Sequence, residues 1–231
     1  MPEPLIRGCD PVDRARAEGR RGRQQKELYL LDAHAARLVA TGQLQAQIGG
    51  HLDSRDAYLS ADHLDLSAAS LDNRGGALIS SGTRAVHLQV HDEFTNRGGQ
   101  IASNADLTLN AATLDNRGGS IVATQDAQLG VRIAGLLDNT AGLIAGNHGL
   151  TLGAARLANA GGQIEAATGS AHLSTDFFDN ASGRLFAATN FTLLGGELSN
   201  GSGSLYAGRD ATLALSGALL HDGVIAAARY L

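Results

Sequence analysis

The chain has 231 residues, of which 30 are glycine, none is tryptophan and 4% are aromatic. So little bulky apolar material argues against an ordinary globular core, and the excess of small and turn-forming residues is typical of many short strands joined by tight turns. The hydrophobic fraction of 43% is too high for a disordered chain. The single cysteine, Cys9, excludes an intrachain disulfide.

The net charge of −5 is distributed unevenly. Residues 1–26 hold seven basic and four acidic side chains, so the rest of the chain carries a net charge of −8. An acidic body is unsuited to nucleic acid, which needs a basic face. The basic run from Arg14 to Lys26 is therefore interpreted as a solvated leader rather than as a phosphate-binding patch.

Residues 1–43 do not follow the periodicity that begins after them. They contain no apolar segment of the kind found in signal peptides, and no stretch of the chain approaches the ~18 apolar residues of a membrane span. Two structures remain open for Glu27–Val39: a short amphipathic helix, or a partial first coil with a strand at Leu28–Leu30. The missing signal predicts a chain that either is not exported on its own or is a piece of a longer exported protein.

From residue 44 to the end, the sequence repeats with a period of about twenty residues. The clearest anchor is Asn-x-Gly-Gly-x-Ile-x-Ala, as in Asn116-Arg-Gly-Gly-Ser-Ile-Val-Ala. Seven copies carry the asparagine, and each has a glycine three residues later. The predicted structural positions are Asn73, Asn96, Asn116, Asn139, Asn159, Asn180 and Asn200, with Gly76, Gly99, Gly119, Gly142, Gly162, Gly183 and Gly203.

Two weaker copies extend the array. One is predicted at Gln47-Ile-Gly-Gly-His-Leu-Asp-Ser, with Gly50 in the glycine position, and the other at Gly223-Val-Ile-Ala-Ala. Extra residues are inferred within 53–64, 81–91 and 126–134, where the spacing lengthens. Insertions of this kind map to loops on the outside of a solenoid, where binding residues are often found.

Each position of the repeat has a physical reason. A recurring glycine is needed where the chain turns with positive φ or where neighbouring backbones approach closely. The alternating apolar residues that follow give three short strands in each twenty-residue coil. Coils that pair strand on strand would stack leucine and isoleucine columns inside and an asparagine ladder at the bend. The sequence therefore predicts an all-β fold, a right-handed parallel β-helix of triangular coils.

The unit N-x-G-G-x-I-x-A, L-x-L, L-x-N resembles the repeats of the filamentous haemagglutinin family of large bacterial exoproteins. The resemblance covers residues 44–231. It implies a shaft of a two-partner secretion adhesin, or of the stick that delivers contact-dependent growth-inhibition toxins, at the bacterial cell surface. The implied partners are an outer-membrane two-partner transporter and a cell-surface receptor or glycan. Because residues 229–231 end inside a coil, the array is predicted to be truncated.

Two candidate sites compete with a purely structural interpretation. His87 and His91 are four residues apart, but no third ligand falls at a spacing typical of a metal site. They are interpreted as exposed polar residues of a strand. No catalytic residue, cofactor or metal ligand is predicted.

The second candidate site is formed by the aspartates that directly precede the asparagines. These aspartates could belong to an active site. The alternative function is that of a β-helical polysaccharide-active enzyme, lyase-like or glycosidase-like, which would need non-repeating carboxylates beside an unpaired arginine. The acids recur with the repeat, however, and lie beside arginines, so they are interpreted as a ladder of mixed charge. The residues are Asp72, Asp115, Asp138 and Asp179, with Arg74, Arg97 and Arg117.

Overall fold

The structure is a computed structural model that describes residues 28–231, so the basic leader lies outside the described residues. In this part of the chain no helix could cross a membrane. The strands are β1 (Leu28–Asp32), β2 (Arg37–Val39), β3 (Gln43–Asp53), β4 (Tyr58–Ala61), β5 (His63–Asp72), β6 (Ala77–Ser80), β7 (Val86–Val90), β8 (Glu93–Thr95), β9 (Gln100–Ser103), β10 (Leu107–Ala111), β11 (Thr113–Asp115), β12 (Ser120–Ala123), β13 (Gln128–Asp138), β14 (Leu143–Gly146), β15 (Gly149–Ala158), β16 (Gln163–Ala166), β17 (Ala171–Asp179), β18 (Arg184–Ala187), β19 (Phe191–Asn200), β20 (Ser204–Ala207), β21 (Ala211–Leu215), β22 (Leu219–His221) and β23 (Val224–Ala227).

The strands form two parallel sheets. Sheet A has thirteen strands in the order β1-β3-β5-β7-β10-β13-β15-β17-β19-β21, with β8, β11 and β22 beside this path. Sheet B has ten strands in the order β2-β4-β6-β9-β12-β14-β16-β18-β20-β23. Each strand pairs with the equivalent strand of the next coil, so the chain is a β-solenoid of about nine turns with a spacing of about 21 residues. The predicted parallel β-helix is confirmed.

Each coil has one straight segment in sheet B and two in sheet A. The two sheet A segments are separate strands in some coils, such as β10 and β11. Elsewhere they run on as one strand, such as β13, whose register shifts between Ile133 and Leu136. A bulge of this kind bends a strand without ending it. The three predicted segments are therefore present, but hydrogen bonding often merges two of them.

The core is built of columns in which each side chain stacks on its equivalent in the next coil. The column of sheet B contains leucines and isoleucines that are at most 2% exposed, since alternate residues of each short strand point inward. The small residue two places later ends the strand; at Gly146 a Cβ would clash with the Gly149 carbonyl oxygen. The column of sheet B comprises Leu59, Leu78, Ile101, Ile121, Ile144, Ile164, Leu185 and Leu205.

The first described segment forms two strands, β1 and β2. The sequence alone does not decide between a helix and a strand there. β1 pairs with β3, and β2 pairs with β4. A lone helix of this length is marginal in water, whereas strands gain backbone partners from the next coil. The described residues of Glu27–Val39 therefore form paired strands and no helix, so strand pairing is present ahead of residue 44.

The copy predicted at Gln47 is out of register. Gly50 lies inside β3, and Leu52 pairs with Leu71, so Ser54 takes the asparagine position and Ala57 the glycine position. Leu52 is fully buried. Strand register follows the buried face, because a slip by one residue would turn every apolar side chain outward.

The corrected register changes two of the inferred insertions. Nineteen residues separate Ala57 from Gly76, and Asp62 alone lies between β4 and β5, so residues 53–64 contain no insertion. The extra residues near 126–134 lie in a turn and in the bulged strand β13 rather than in a long loop. Within 81–91, residues 81–85 do form a longer connection, between β6 and β7.

Candidate functional site

A file of seven asparagines runs through the solenoid at the turn that leads into sheet B. Each of these asparagines is 0% exposed. Each Nδ2 of the first six donates to Oδ1 of the asparagine in the next coil, at 2.7–2.8 Å. Each Nδ2 also donates to the carbonyl oxygen of the glycine in its own turn, at 3.2–3.4 Å. Burial of the amides is thus compensated by hydrogen bonds, which a low-dielectric interior requires.

Different residues complete the file at its two ends. Ser54 Oγ donates to Asn73 Oδ1 at 3.1 Å, and Asn200 Nδ2 donates to His221 Nδ1 at 3.2 Å. The asparagine motif reveals neither Ser54 nor His221. Comparison of Leu52-Asp53-Ser54-Arg55 with the segment 71–74, which reads Leu-Asp-Asn-Arg, would have placed Ser54 in the file.

The glycine three residues after each asparagine is required by close approach. A Cβ on Gly162 would lie 2.6 Å from Asn159 Oδ1 and 3.1 Å from Asn139 Nδ2, and closer still to the Asn139 carbonyl oxygen. Positive φ belongs instead to the preceding residue, which is Gly161 in this turn and Ala141 in the one before. Of the two reasons that the sequence leaves open, packing against the stacked asparagines therefore explains the glycine that follows each of them.

On the outer surface of the same turns, a column of aspartates is paired with arginines. Asp72 Oδ1 accepts the backbone N–H of Arg74 at 3.1 Å, and its carboxylate also accepts Nε at 3.0 Å and Nη2 at 2.6 Å. Asp115 holds Arg117 in the same way, at 3.1, 2.9 and 2.7 Å. The carboxylate thus closes the turn and neutralises a guanidinium, as charge-assisted hydrogen bonds do.

The column is interrupted at Thr95, which pairs with Asp72 on one side and Asp115 on the other. Arg97 therefore has no aspartate two residues before it, as Arg74 and Arg117 have. Its Nη2 donates to Asp115 Oδ2 of the next coil at 2.9 Å. Asp115 therefore has two guanidinium partners, Arg97 and Arg117.

The arginines lower the pKa values of these carboxyl groups. Side-chain hydrogen bonds from Arg117 hold the pKa of Asp115 well below its usual range; partial burial opposes this shift, and Arg97 adds to it. Partial burial raises the pKa of Asp72, but the hydrogen bonds and charge of Arg74 outweigh it, so that this pKa is also lowered. Both carboxyl groups are therefore ionised at neutral pH. They bind the guanidinium groups of the arginines and do not act as proton donors.

A groove of about 500 Å³ lies along this ladder. It contains Glu93 and the repeating acids Asp72 and Asp115. Each of its three arginines has a carboxylate partner within 4.0 Å. The groove therefore lacks the arrangement that the enzyme alternative predicts, in which two or more non-repeating carboxylates lie beside an unpaired arginine. Its arginines are Arg74, Arg97 and Arg117.

The histidine pair lies at the surface of sheet A. His87 is an exposed residue of β7, and His91 follows the end of that strand and is exposed too. Over residues 28–231, no group of three or more His, Cys, Asp or Glu residues is arranged to hold a metal ion. His87 is thus an exposed polar residue of a strand, as expected, whereas His91 lies in the bend after the strand.

The comparisons with known proteins agree with the repeat. No curated protein matches the chain, and no solved structure does. The family model of the haemagglutinin repeat matches residues 32–87, 85–141, 127–177 and 178–231. These matches include the turns that carry the stacked asparagines and the aspartate–arginine pairs. The chain belongs to the haemagglutinin repeat family.

Proposed function

We propose that this solenoid is a structural and adhesive shaft segment of a secreted bacterial surface exoprotein. The observation that carries the proposal is the unbroken pairing of sheet B, in which ten strands from β2 to β23 follow each other in order. At a strand spacing of ~4.8 Å, such a stack is a rod about 43 Å long. Its mechanism is geometric, since the rod holds whatever it carries at a fixed distance from the cell.

Stiffness follows from the way the coils are joined. Bending between two coils would stretch the backbone hydrogen bonds of both sheets and the hydrogen bonds between buried asparagine side chains, such as that from Asn139 Nδ2 to Asn159 Oδ1 at 2.7 Å. Interiors packed at high density resist such deformation. The rod is therefore expected to move as one body under thermal forces.

The partners and location are part of the same proposal. Membership of the haemagglutinin repeat family supports export by the two-partner route through an outer-membrane transporter, and residence at the bacterial surface. The shaft would serve either an adhesin or a growth-inhibition toxin stick, with a cell-surface receptor or glycan as its target. No geometry of the ladder groove favours the polysaccharide-active enzyme over this function.

The shaft is tested by deletion of one whole coil. Removing residues 143–162 joins equivalent positions, because Leu143 pairs with Gln163. This variant should keep the far-UV circular dichroism of a β-protein and should be exported as well as the parent exoprotein. The matched control removes residues 143–152, half a coil, and should lose both. A whole-coil deletion that unfolds would overturn the modular shaft.

The adhesive part needs a separate measurement. Beads coated with the purified chain should attach to cells of a susceptible host or neighbouring bacterium, and soluble chain should compete with them. Beads coated with the heat-unfolded chain provide the control. Failure of the folded chain to attach would remove the adhesive role while leaving the shaft intact.

A further inference from the structure

The coil of Thr95 lacks a carboxylate that neighbouring coils possess. In the coil of Asp72, one carboxylate accepts the backbone N–H and two side-chain nitrogens of Arg74. In the coil of Thr95, the single protein acceptor that the described residues offer to Arg97 is Asp115, through Nη2. The backbone N–H and Nε of Arg97 thus lie where the Asp72 coil has an anion.

The threonine does not take the place of the missing acid. Its Oγ1 donates to Glu93 Oε1 at 3.2 Å rather than accepting from Arg97. The groove of about 500 Å³ opens here, and Thr95, Arg97 and Glu93 are among its lining residues. The Arg97 side chain is 52% exposed, so a ligand can reach it from solvent.

We propose that this gap binds a carboxylate of an acidic polysaccharide, the uronic acid group of a sugar, in the position of the missing aspartate. The Asp72 turn provides the template: the sugar carboxylate would accept the Arg97 backbone N–H and guanidinium as Asp72 accepts those of Arg74. Asp115 keeps Arg117 as a partner if Arg97 turns toward the ligand. A carboxylate bound by an arginine and a backbone N–H is held by the stronger class of hydrogen bond.

The lining favours a sugar over a peptide. Ser70 and His51, which are hydrogen-bonded to each other at 2.8 Å, and Glu93 line the groove with polar groups that keep further hydrogen-bonding capacity for sugar hydroxyls. A peptide binding as an added strand would need an unpaired sheet edge. β8 already pairs with β5 on one side and β11 on the other, so no such edge is present at the groove.

Glu93 sets the affinity through repulsion. Glu93 is exposed, lines the groove and carries the same charge as the ligand. Glu93→Gln should therefore strengthen binding, by about threefold for the removal of one exposed like charge. This gain cannot be produced by a variant that merely fails to fold.

The test is a calorimetric and NMR titration of the full chain with tetragalacturonate, with its methyl ester as the neutral control. The acid should bind and shift the Arg97 backbone amide, and the ester should do neither. Arg97→Gln should weaken binding about tenfold or more, because charge-assisted hydrogen bonds are lost. The matched control, Arg156→Gln on a distant coil, should bind as the parent does.

Thr95→Asp is the decisive variant, because it supplies the missing carboxylate from the chain itself and should abolish binding. Unchanged binding by Thr95→Asp or equal binding of the ester would overturn the proposal. Equal affinity for polyglutamate would overturn the assignment to a sugar. The inference goes beyond the shaft function and does not depend on it, since rod integrity and export are measured separately.

Discussion

The buried asparagines (the inner ladder) and the surface aspartates (the outer ladder) lie at the same turns of the solenoid. Only the outer ladder is interrupted. The asparagine file is buried and unbroken through seven coils. The aspartate column beside it is interrupted at Thr95, Ala158 and Ser199. Both ladders consist of hydrogen-bonding groups stacked one coil apart, so chemistry alone does not explain the contrast.

Burial explains it. At the surface, water can replace a missing acceptor, and an exposed ion pair contributes little to stability. Inside the solenoid, a missing amide takes one ladder hydrogen bond from the asparagine on each side, where no water replaces it, and a buried polar group left unpaired costs about 1–3 kcal/mol. The buried asparagines therefore constrain the geometry of every coil in which they stack, whereas the aspartate column at the surface is free to vary.

The largest expected effect comes from breaking the inner file at its centre. Asn139→Ala should leave Asn116 Nδ2 and Asn159 Oδ1 without their ladder partners, and should lower the free energy of unfolding by about 3 kcal/mol in urea denaturation. Asp138→Ala, in the outer column of the same turn, is the matched control and should cost less than about 1 kcal/mol. A larger loss for Asp138→Ala would reverse the proposed order of the two ladders.

A smaller effect is expected from crowding the inner file. Gly162→Ala should lower the free energy of unfolding by about 2 kcal/mol, because its Cβ would meet the Asn139 backbone and the Asn159 amide. Gly153→Ala is the control, since a Cβ there meets nothing within 4 Å. Thermal unfolding of both variants would check this, and equal melting temperatures would contradict the close-approach explanation.

The smallest effect belongs to the outer column and depends on pH. The pKa of Asp115 is lower in the folded chain than the ordinary value of about 3.9, so Asp115 stabilises the fold above that value. This contribution is lost as pH falls through the folded pKa. Stability of the parent should therefore decrease more steeply below about pH 4 than that of Asp115→Asn.

The control for the pH series is Asp92→Asn, a change at an exposed residue outside the ladder. Urea midpoints measured at several pH values between 2 and 6 would give both slopes. If Asp115→Asn and the parent have the same slope, the Arg117 pair does not contribute to acid sensitivity.

The repeat fold could be predicted from the sequence because the patterns that mark its turns and strands are short and recur from coil to coil. Asn-x-Gly-Gly marks one turn, and alternation such as Leu107-Thr-Leu109 marks a strand, in each case within a few residues. The first complete coil was harder to place. There Ser54 and Ala57 replace the asparagine and the glycine, and a false match at Gly50 looks more like the motif than the true turn does.

The sequence by itself determined the coil length, the parallel stacking and the seven asparagines of the inner file, because these follow from the periodicity of the repeat. Only the tertiary structure decided the register of the first coils, the merging of two segments in sheet A and the partner of each arginine. These depend on which residues of different coils lie side by side. The sequence already shows Thr95 where the neighbouring repeats have aspartate, but only the strand pairing places Thr95 between Asp72 and Asp115 and Arg97 beside Asp115.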